Sequence, residues 1–195
     1  MLVLRDRLIN VPLMSLQTGT QVGVTSAPII DPRRLIIIGF YCDGPTLDTK
    51  PAVLHTSDIR EASDIGFIID SADDIMSPDG LVRLQEVINF NFTLEGKQVV
   101  EDGGRKIGKV ADYTVDNQSY YIIKLHIKPS IWQSFSSAEV IIDRNQIKTV
   151  TDKQIVVYKA DAKAKARTPI GKVPPIDNPF RKSHPQPEAT TTKSN

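Results

Sequence analysis

The sequence contains few of the residues that build catalytic or cross-linked proteins. Its 195 residues include one cysteine, three histidines and one tryptophan. A single cysteine cannot form an internal disulfide, so we expect a reducing compartment and predict a cytoplasmic location. Cys42 lies in an apolar run, where a small buried hydrophobic residue is expected rather than a nucleophile.

Long hydrophobic runs are also missing. No apolar stretch approaches the roughly 20 residues that cross a bilayer, and the first residues carry charges too early for a secretory signal. The formal net charge of +1 implies by itself neither a nucleic-acid nor a membrane partner. The charges are unevenly spread, because residues 1–158 hold 16 basic and 20 acidic residues (net −4) and residues 159–195 hold 8 and 3 (net +5).

What is present is an internal repeat. Gly19 and Gly23 align with Gly104 and Gly108 at an offset of 85 residues, and the same offset aligns Asp31 with Asp116. Residues 59–69 align with 147–157 at an offset of 88, so the second copy carries three extra residues. A repeat of this size predicts two small modules. We place them at residues 1–72 and 93–158, joined by a linker at 73–92.

Each copy has about six short apolar segments separated by tight turns, and this pattern predicts an all-β fold. A small antiparallel barrel or a half-open roll fits this strand content, and closure would protect the sheet edges. Gly19, Gly23, Gly104 and Gly108 are expected to be structural turn residues. The predicted fold is therefore two tandem antiparallel β-barrels.

The linker and the C-terminal segment differ from these modules. Ser77 and Pro78 begin a pattern with apolar residues at helical spacing, which predicts a short linking helix. Residues 159–195 are basic and rich in proline, with too little apolar surface to offset the entropy of ordering. We predict a disordered tail there.

No pattern in the sequence supports catalysis or a cofactor. Residues 103–109 fit the spacing G-x-x-x-x-G-K, but Val110 stands where a phosphate-binding loop needs Ser or Thr. A hairpin turn is the favoured interpretation. The three histidines show no ligand spacing, and no Ser/His/Asp or Cys/His set is apparent. We therefore predict no enzyme activity, no metal and no cofactor.

Both copies resemble the PRC-barrel family, and the second copy is the better match. The resemblance lies in residues 101–110 (EDGGRKIGKV), which are similar to the opening hairpin of that family, and in residues 153–157 (KQIVV), which are similar to its last strand. It covers residues 7–70 and 96–158. The first copy departs from the family pattern at residues 31–34, so we expect its binding face to differ.

This resemblance implies small β-barrels without catalytic residues that dock onto larger assemblies. The family includes the C-terminal domain of the ribosome maturation factor RimM and the cytoplasmic domain of the photosynthetic reaction-centre H subunit. We therefore expect a non-enzymatic adaptor with a protein partner. An RNA-associated role in ribosome assembly and a peripheral membrane role stay open as alternatives. The candidate partner-binding residues are aromatic or basic: Trp132, Phe135, Lys163, Lys165, Arg167, Lys172, Arg181 and Lys182.

Overall fold

Short apolar segments form strands throughout the part of the chain that the computed structural model describes, namely residues 1–45, 47–80, 82–129 and 139–159. These residues lie within one unit, Met1–Lys159. The elements in chain order are β1 (Leu2–Leu4), β2 (Pro12–Ser15), β3 (Gln21–Asp31), β4 (Ile36–Asp43), β5 (Ala52–His55), β6 (Ile59–Ser63), β7 (Gly66–Ile69), β8 (Ile75–Met76), α1 (Val82–Ile88), β9 (Gln98–Glu101), β10 (Lys106–Asp116), β11 (Ile122–Pro129), β12 (Val140–Asp143), β13 (Ile147–Val150) and β14 (Gln154–Val157).

The strands form two sheets with the same internal order. The first sheet runs β6-β7-β2-β3-β4-β5-β8, and the second runs β13-β14-β9-β10-β11-β12. Each strand from β2 to β7 therefore has a counterpart whose strand number is higher by seven, from β9 to β14. In both sheets the first of the six equivalent strands pairs in parallel with the sixth, as β2 does with β7 and β9 with β14.

These parallel pairs correct the expectation of wholly antiparallel barrels. In each half a three-residue 3-10 turn, Thr56–Asp58 or Arg144–Gln146, joins the fourth strand to the fifth. The ladders require the strands on either side of this turn to run in the same direction. The turn continues the chain direction instead of reversing it, so the consecutive strands do not pair. Within the described residues neither sheet closes, and the half-open roll fits better than a closed barrel.

The N-terminal strand belongs to the second sheet. β1 pairs antiparallel with the end of β10, from Leu2 opposite Asp116 to Leu4 opposite Thr114. The sequence places these residues in the first module, residues 1–72. An N-terminal segment of that module thus completes the sheet of the other half.

The two halves share one hydrophobic core. Its largest cluster joins side chains of the first half, such as Leu13 and Phe40, to side chains of the second, such as Tyr113 and Leu125. A smaller cluster packs Leu84 and Val87 of α1 against Ile29 and Val53. The predicted linker helix is therefore present, although its expected start at Ser77 lies before a separate 3-10 turn, Pro78–Gly80.

The expectation of a disordered tail falls almost wholly on residues outside the described part of the chain. The predicted disordered tail begins at residue 159, and the description ends there. Among the described residues no helix combines the length and the hydropathy that crossing a bilayer requires.

Candidate functional site: paired clefts where the two halves meet

The junction between the halves is held by two equivalent backbone hydrogen bonds. The amide of Ile37 donates to the carbonyl oxygen of Tyr120 at 3.0 Å, and the amide of Ile122 donates to that of Leu35 at 2.9 Å. The repeat offset of 85 converts one bond into the other. Ile36 and Tyr121, also 85 residues apart, form an antiparallel bridge between them. The halves therefore meet as the subunits of a two-fold symmetric dimer do, with the same surface used twice.

The residues that accept these bonds have an unusual backbone. Leu35 has φ of 44° and Tyr120 has φ of 58°, both in the left-handed region that non-glycine residues rarely adopt. An aspartate precedes each in its turn: a carboxylate oxygen of Asp31 accepts from the amide of Arg33 at 2.9 Å, and one of Asp116 accepts from the hydroxyl of Ser119 at 2.6 Å. Both turns thus present a carbonyl to the opposite half.

Aromatic side chains fill the space beneath the junction. The Tyr120 ring meets Phe40 at 6.1 Å and Phe67 at 6.4 Å, both edge-on, and the two phenylalanines lie 5.5 Å apart. Burial raises the pKa of Tyr120 to about 12. Its ring therefore belongs to the core of the other half.

Two related clefts flank this junction. The first, which we term the basic cleft, has a volume of about 550 Å³ and is lined by residues 32–35, 144 and 147–150. The second, the mixed cleft, has about 640 Å³ and is lined by residues 55–57, 59–62 and 117–120. The repeat offsets of 85 and 88 convert every residue of the basic lining into a residue of the mixed lining. One scaffold therefore forms the same kind of cleft twice.

The linings differ in charge. The basic cleft contains Arg33, Arg34, Arg144 and Lys148. The corresponding positions of the mixed cleft hold Gln118, Ser119, Thr56 and Arg60. The three arginines of the basic cleft thus correspond to uncharged residues at the equivalent positions of the mixed cleft.

Arg144 is fixed in the basic cleft by backbone groups. Its guanidinium donates to the carbonyl oxygens of Leu35 at 2.9 Å, Ile122 at 3.2 Å and Arg34 at 2.5 Å. It also lies 4.9 Å from the centre of the Tyr121 ring. Carbonyl groups orient the guanidinium but do not neutralise its charge.

Arg34 and Lys148 stay protonated at neutral pH. Arg34 donates to the Tyr121 hydroxyl at 3.2 Å, and this hydrogen bond raises the pKa of Arg34. Lys148 donates to a carboxylate oxygen of Asp102 at 2.6 Å, which raises the pKa of Lys148. The cleft therefore keeps its positive charges over the physiological range.

The four glycines of the repeat occupy two kinds of position. Gly19 and Gly104 lie in turns with φ of 67° and 88°, where glycine is favoured. Gly23 and Gly108 lie inside β3 and β10 rather than in the turn. A Cβ atom on Gly108 would approach the carbonyl oxygen of Lys128 to 2.2 Å, and one on Gly23 would approach that of Asp43 to 2.9 Å. This second pair permits close contact with the neighbouring strand.

Cys42 has the environment of a structural residue. Its side chain is buried, and burial raises its pKa to about 12. Among the described residues no group of three or more His, Cys, Asp or Glu side chains is arranged to hold a metal ion.

The partner-binding residues predicted from the sequence lie outside the described part of the chain. These are Trp132, Phe135, Lys163, Lys165, Arg167, Lys172, Arg181 and Lys182. The prediction missed Arg34, Tyr121 and Arg144, which lie far apart in the sequence. A signal for both arginines is present in the sequence. When the two copies are aligned, Arg34 and Arg144 stand opposite uncharged residues of the other copy.

Comparison with protein families identifies the second half. Residues 88–163 match the model of the PRC-barrel domain, which confirms the resemblance predicted for the second copy. The match does not extend over the first half. A comparison with curated proteins gives no match. Residues 88–163 therefore match the PRC-barrel domain, and the match covers 76 of the 195 residues.

Proposed function

We propose that this protein is a non-enzymatic adaptor that docks protein partners at the two clefts beside its junction. The PRC-barrel domain is a family of protein-interaction and assembly modules. The observation that carries the proposal is the pair of clefts, which are equivalent in position and different in charge. A lone buried thiol suits the reducing cytoplasm, where we place the adaptor.

The proposal treats the first half as a second, diverged PRC-like module. The shared strand order supports it, and so does the parallel pairing of β2 with β7 and of β9 with β14. So do the matching hydrogen bonds at Ile37 and Ile122. Duplication within one chain holds two docking sites at a fixed spacing, which raises the effective concentration of a second contact.

Different linings favour different partner segments. Arg33, Arg34 and Arg144 give one cleft a positive surface, whereas the lining of the other has one basic residue, Arg60, and one acidic residue, Glu61. Charge complementarity controls which partner binds more than how tightly it binds. We therefore expect the two clefts to engage two distinct segments.

Cross-linking in the native cell tests the adaptor function. The full chain, tagged and cross-linked in place, should retain protein partners after stringent washing, and mass spectrometry should find cross-links from Lys148 and from Glu61, one residue in each cleft. An unrelated tagged β-protein is the control. Retention of no protein beyond that control would contradict the proposal.

An RNA-associated role in ribosome assembly is the second candidate. Its support is the net charge of +5 over residues 159–195. Phosphate binding by these residues would make affinity for ribosomal RNA fall steeply with salt. A flat response to salt, unchanged when residues 159–195 are removed, would exclude it.

A further inference from the structure

We infer that the basic cleft binds an extended acidic peptide segment of a protein partner. The inference rests on the proposed docking function and names the chemistry that one of the two clefts recognises. It comes from the charges of the cleft, from the strand that forms one wall, and from comparison with the mixed cleft.

Two guanidinium groups in the basic cleft lack a neutralising partner. Among the described residues, the ion pairs of the cleft join Arg33 to Asp31 and Lys148 to Asp102. Arg34 instead donates to a tyrosine hydroxyl, and Arg144 donates to backbone carbonyls. The cleft therefore presents two net positive charges, one at the hydroxyl of Tyr121 and one over its ring. Carboxylates are the natural complement, since arginine binds them through paired hydrogen bonds.

The fold itself does not require these charges. The mixed cleft is formed by the equivalent turn and the equivalent terminal strand of the repeat. It has Ser119 in place of Arg34 and Thr56 in place of Arg144. Thr56 still contacts the backbone, because its hydroxyl donates to the carbonyl of Ile38 at 3.2 Å. A smaller uncharged side chain thus suffices for the structural task, which leaves the charges of the basic cleft for a ligand.

One wall of the basic cleft is the edge of a sheet. β13 is the terminal strand of its sheet, and four consecutive residues, 147–150, line the cleft. Successive side chains of a strand point to opposite faces, so a cleft that touches all four runs along the strand edge. An extended peptide can add to such an edge through backbone hydrogen bonds. Ile147 and Val150 offer it aliphatic contacts.

The same features favour a peptide over RNA. Single-stranded RNA is recognised largely by stacking its bases on exposed aromatic rings. Arg144 lies over the Tyr121 ring at 4.9 Å and Arg33 lies over the Phe90 ring at 5.1 Å, so a guanidinium already covers one face of each ring beside the cleft. The aliphatic residues of the lining, Leu35, Ile147 and Val150, suit peptide side chains.

Fluorescence anisotropy with the full chain tests this inference. The probe is a fluorescein-labelled peptide of alternating Glu and Val, about eight residues long, and the control peptide alternates Lys and Val. We expect the acidic peptide to bind and the basic one not to bind. Arg34→Ser, which introduces the residue of the mixed cleft, should weaken the acidic peptide about tenfold. Arg60→Ser, which removes one exposed guanidinium from the mixed cleft, should change affinity less than about twofold.

Several outcomes would overturn the inference. One is absence of binding by the acidic peptide, and another is an equal loss in both variants. Tighter binding of a decauridylate that Arg34→Ser abolishes would assign the cleft to RNA instead. If the acidic peptide fails to bind while the cross-linking experiment retains a protein partner, the peptide assignment falls and the docking function stands.

Discussion

The ring of Tyr120, from the second half, meets the ring of Phe40, from the first half, edge-on at 6.1 Å. Phe40 is fully buried, and Tyr120 is 7% exposed. Because the contact joins the two halves through a single aromatic cluster, neither half can lose its packing without exposing the core of the other. The halves are thus expected to unfold together.

Loss of the Tyr120 ring should destabilise both halves at once. Removal of a large buried aromatic side chain costs about 3–5 kcal/mol, so Tyr120→Ala should lower the free energy of unfolding by about 3 kcal/mol or more. Urea unfolding followed by circular dichroism measures it. Tyr158→Ala, at a side chain that is 55% exposed, is the control and should change stability by about 0.5 kcal/mol or less. Equal effects of the two substitutions would disprove a shared core.

Because β10 and β11 approach closely at Gly108, substitution of Gly108 should destabilise the protein more than substitution of Gly104. Gly108→Ala would bring a Cβ to 2.2 Å from the Lys128 carbonyl oxygen, whereas a Cβ at Gly104 meets open space and suffers only an unfavourable φ of 88°. We expect Gly104→Ala to cost about 1 kcal/mol and Gly108→Ala to cost clearly more. Thermal unfolding of both variants measures the difference, and a larger loss at Gly104 would contradict the described strand contact.

The Tyr113 hydroxyl should be a source of instability. Tyr113 is fully buried, and its hydroxyl has no hydrogen-bond partner among the described residues. An unsatisfied buried polar group costs about 1–3 kcal/mol. Tyr113→Phe keeps the ring and should therefore raise the free energy of unfolding by about 1 kcal/mol in chemical denaturation. A decrease would mean that the hydroxyl is bonded.

The ion pair of Arg105 with Glu101 should contribute to stability only above the acid range. The hydrogen bond from Arg105 lowers the pKa of Glu101 below its usual value. A carboxyl group with a lowered pKa in the folded state stabilises above its unfolded pKa, near 4.3, and this stabilisation disappears as pH falls through the folded pKa. Arg105→Gln should therefore be less stable than the parent at pH 6 and approach it below about pH 4. A difference that stays constant from pH 7 to pH 3 would argue against the pair.

The sequence predicts the strands and the linking helix because alternation and capping residues are local signals. It does not predict the parallel pairing of β2 with β7. That pairing depends on whether the chain reverses at residues 56–58, and short 3-10 turns have backbone angles similar to those of reversing turns. Nor does local pattern place β1 in the second sheet, since that pairing joins residues more than 100 positions apart.

The basic cleft escapes sequence reasoning for a related reason. Arg34 belongs to a turn of the first half and Arg144 to a turn of the second, and only the junction brings them together. The sequence does show that residues 31–34 depart from the family pattern, and two of the cleft arginines lie within that stretch. Charge differences between aligned repeats are thus a usable signal once the pairing of the halves is known.

Hydrogen exchange on the full chain, measured with and without the partner retained from cross-linking, tests the docking account most directly. We expect partner binding to slow exchange at backbone amides of residues 33–35 and 144–150, or at those of residues 55–62 and 117–120, while the rest of both sheets changes little. Protection confined to residues that line neither cleft would contradict the account.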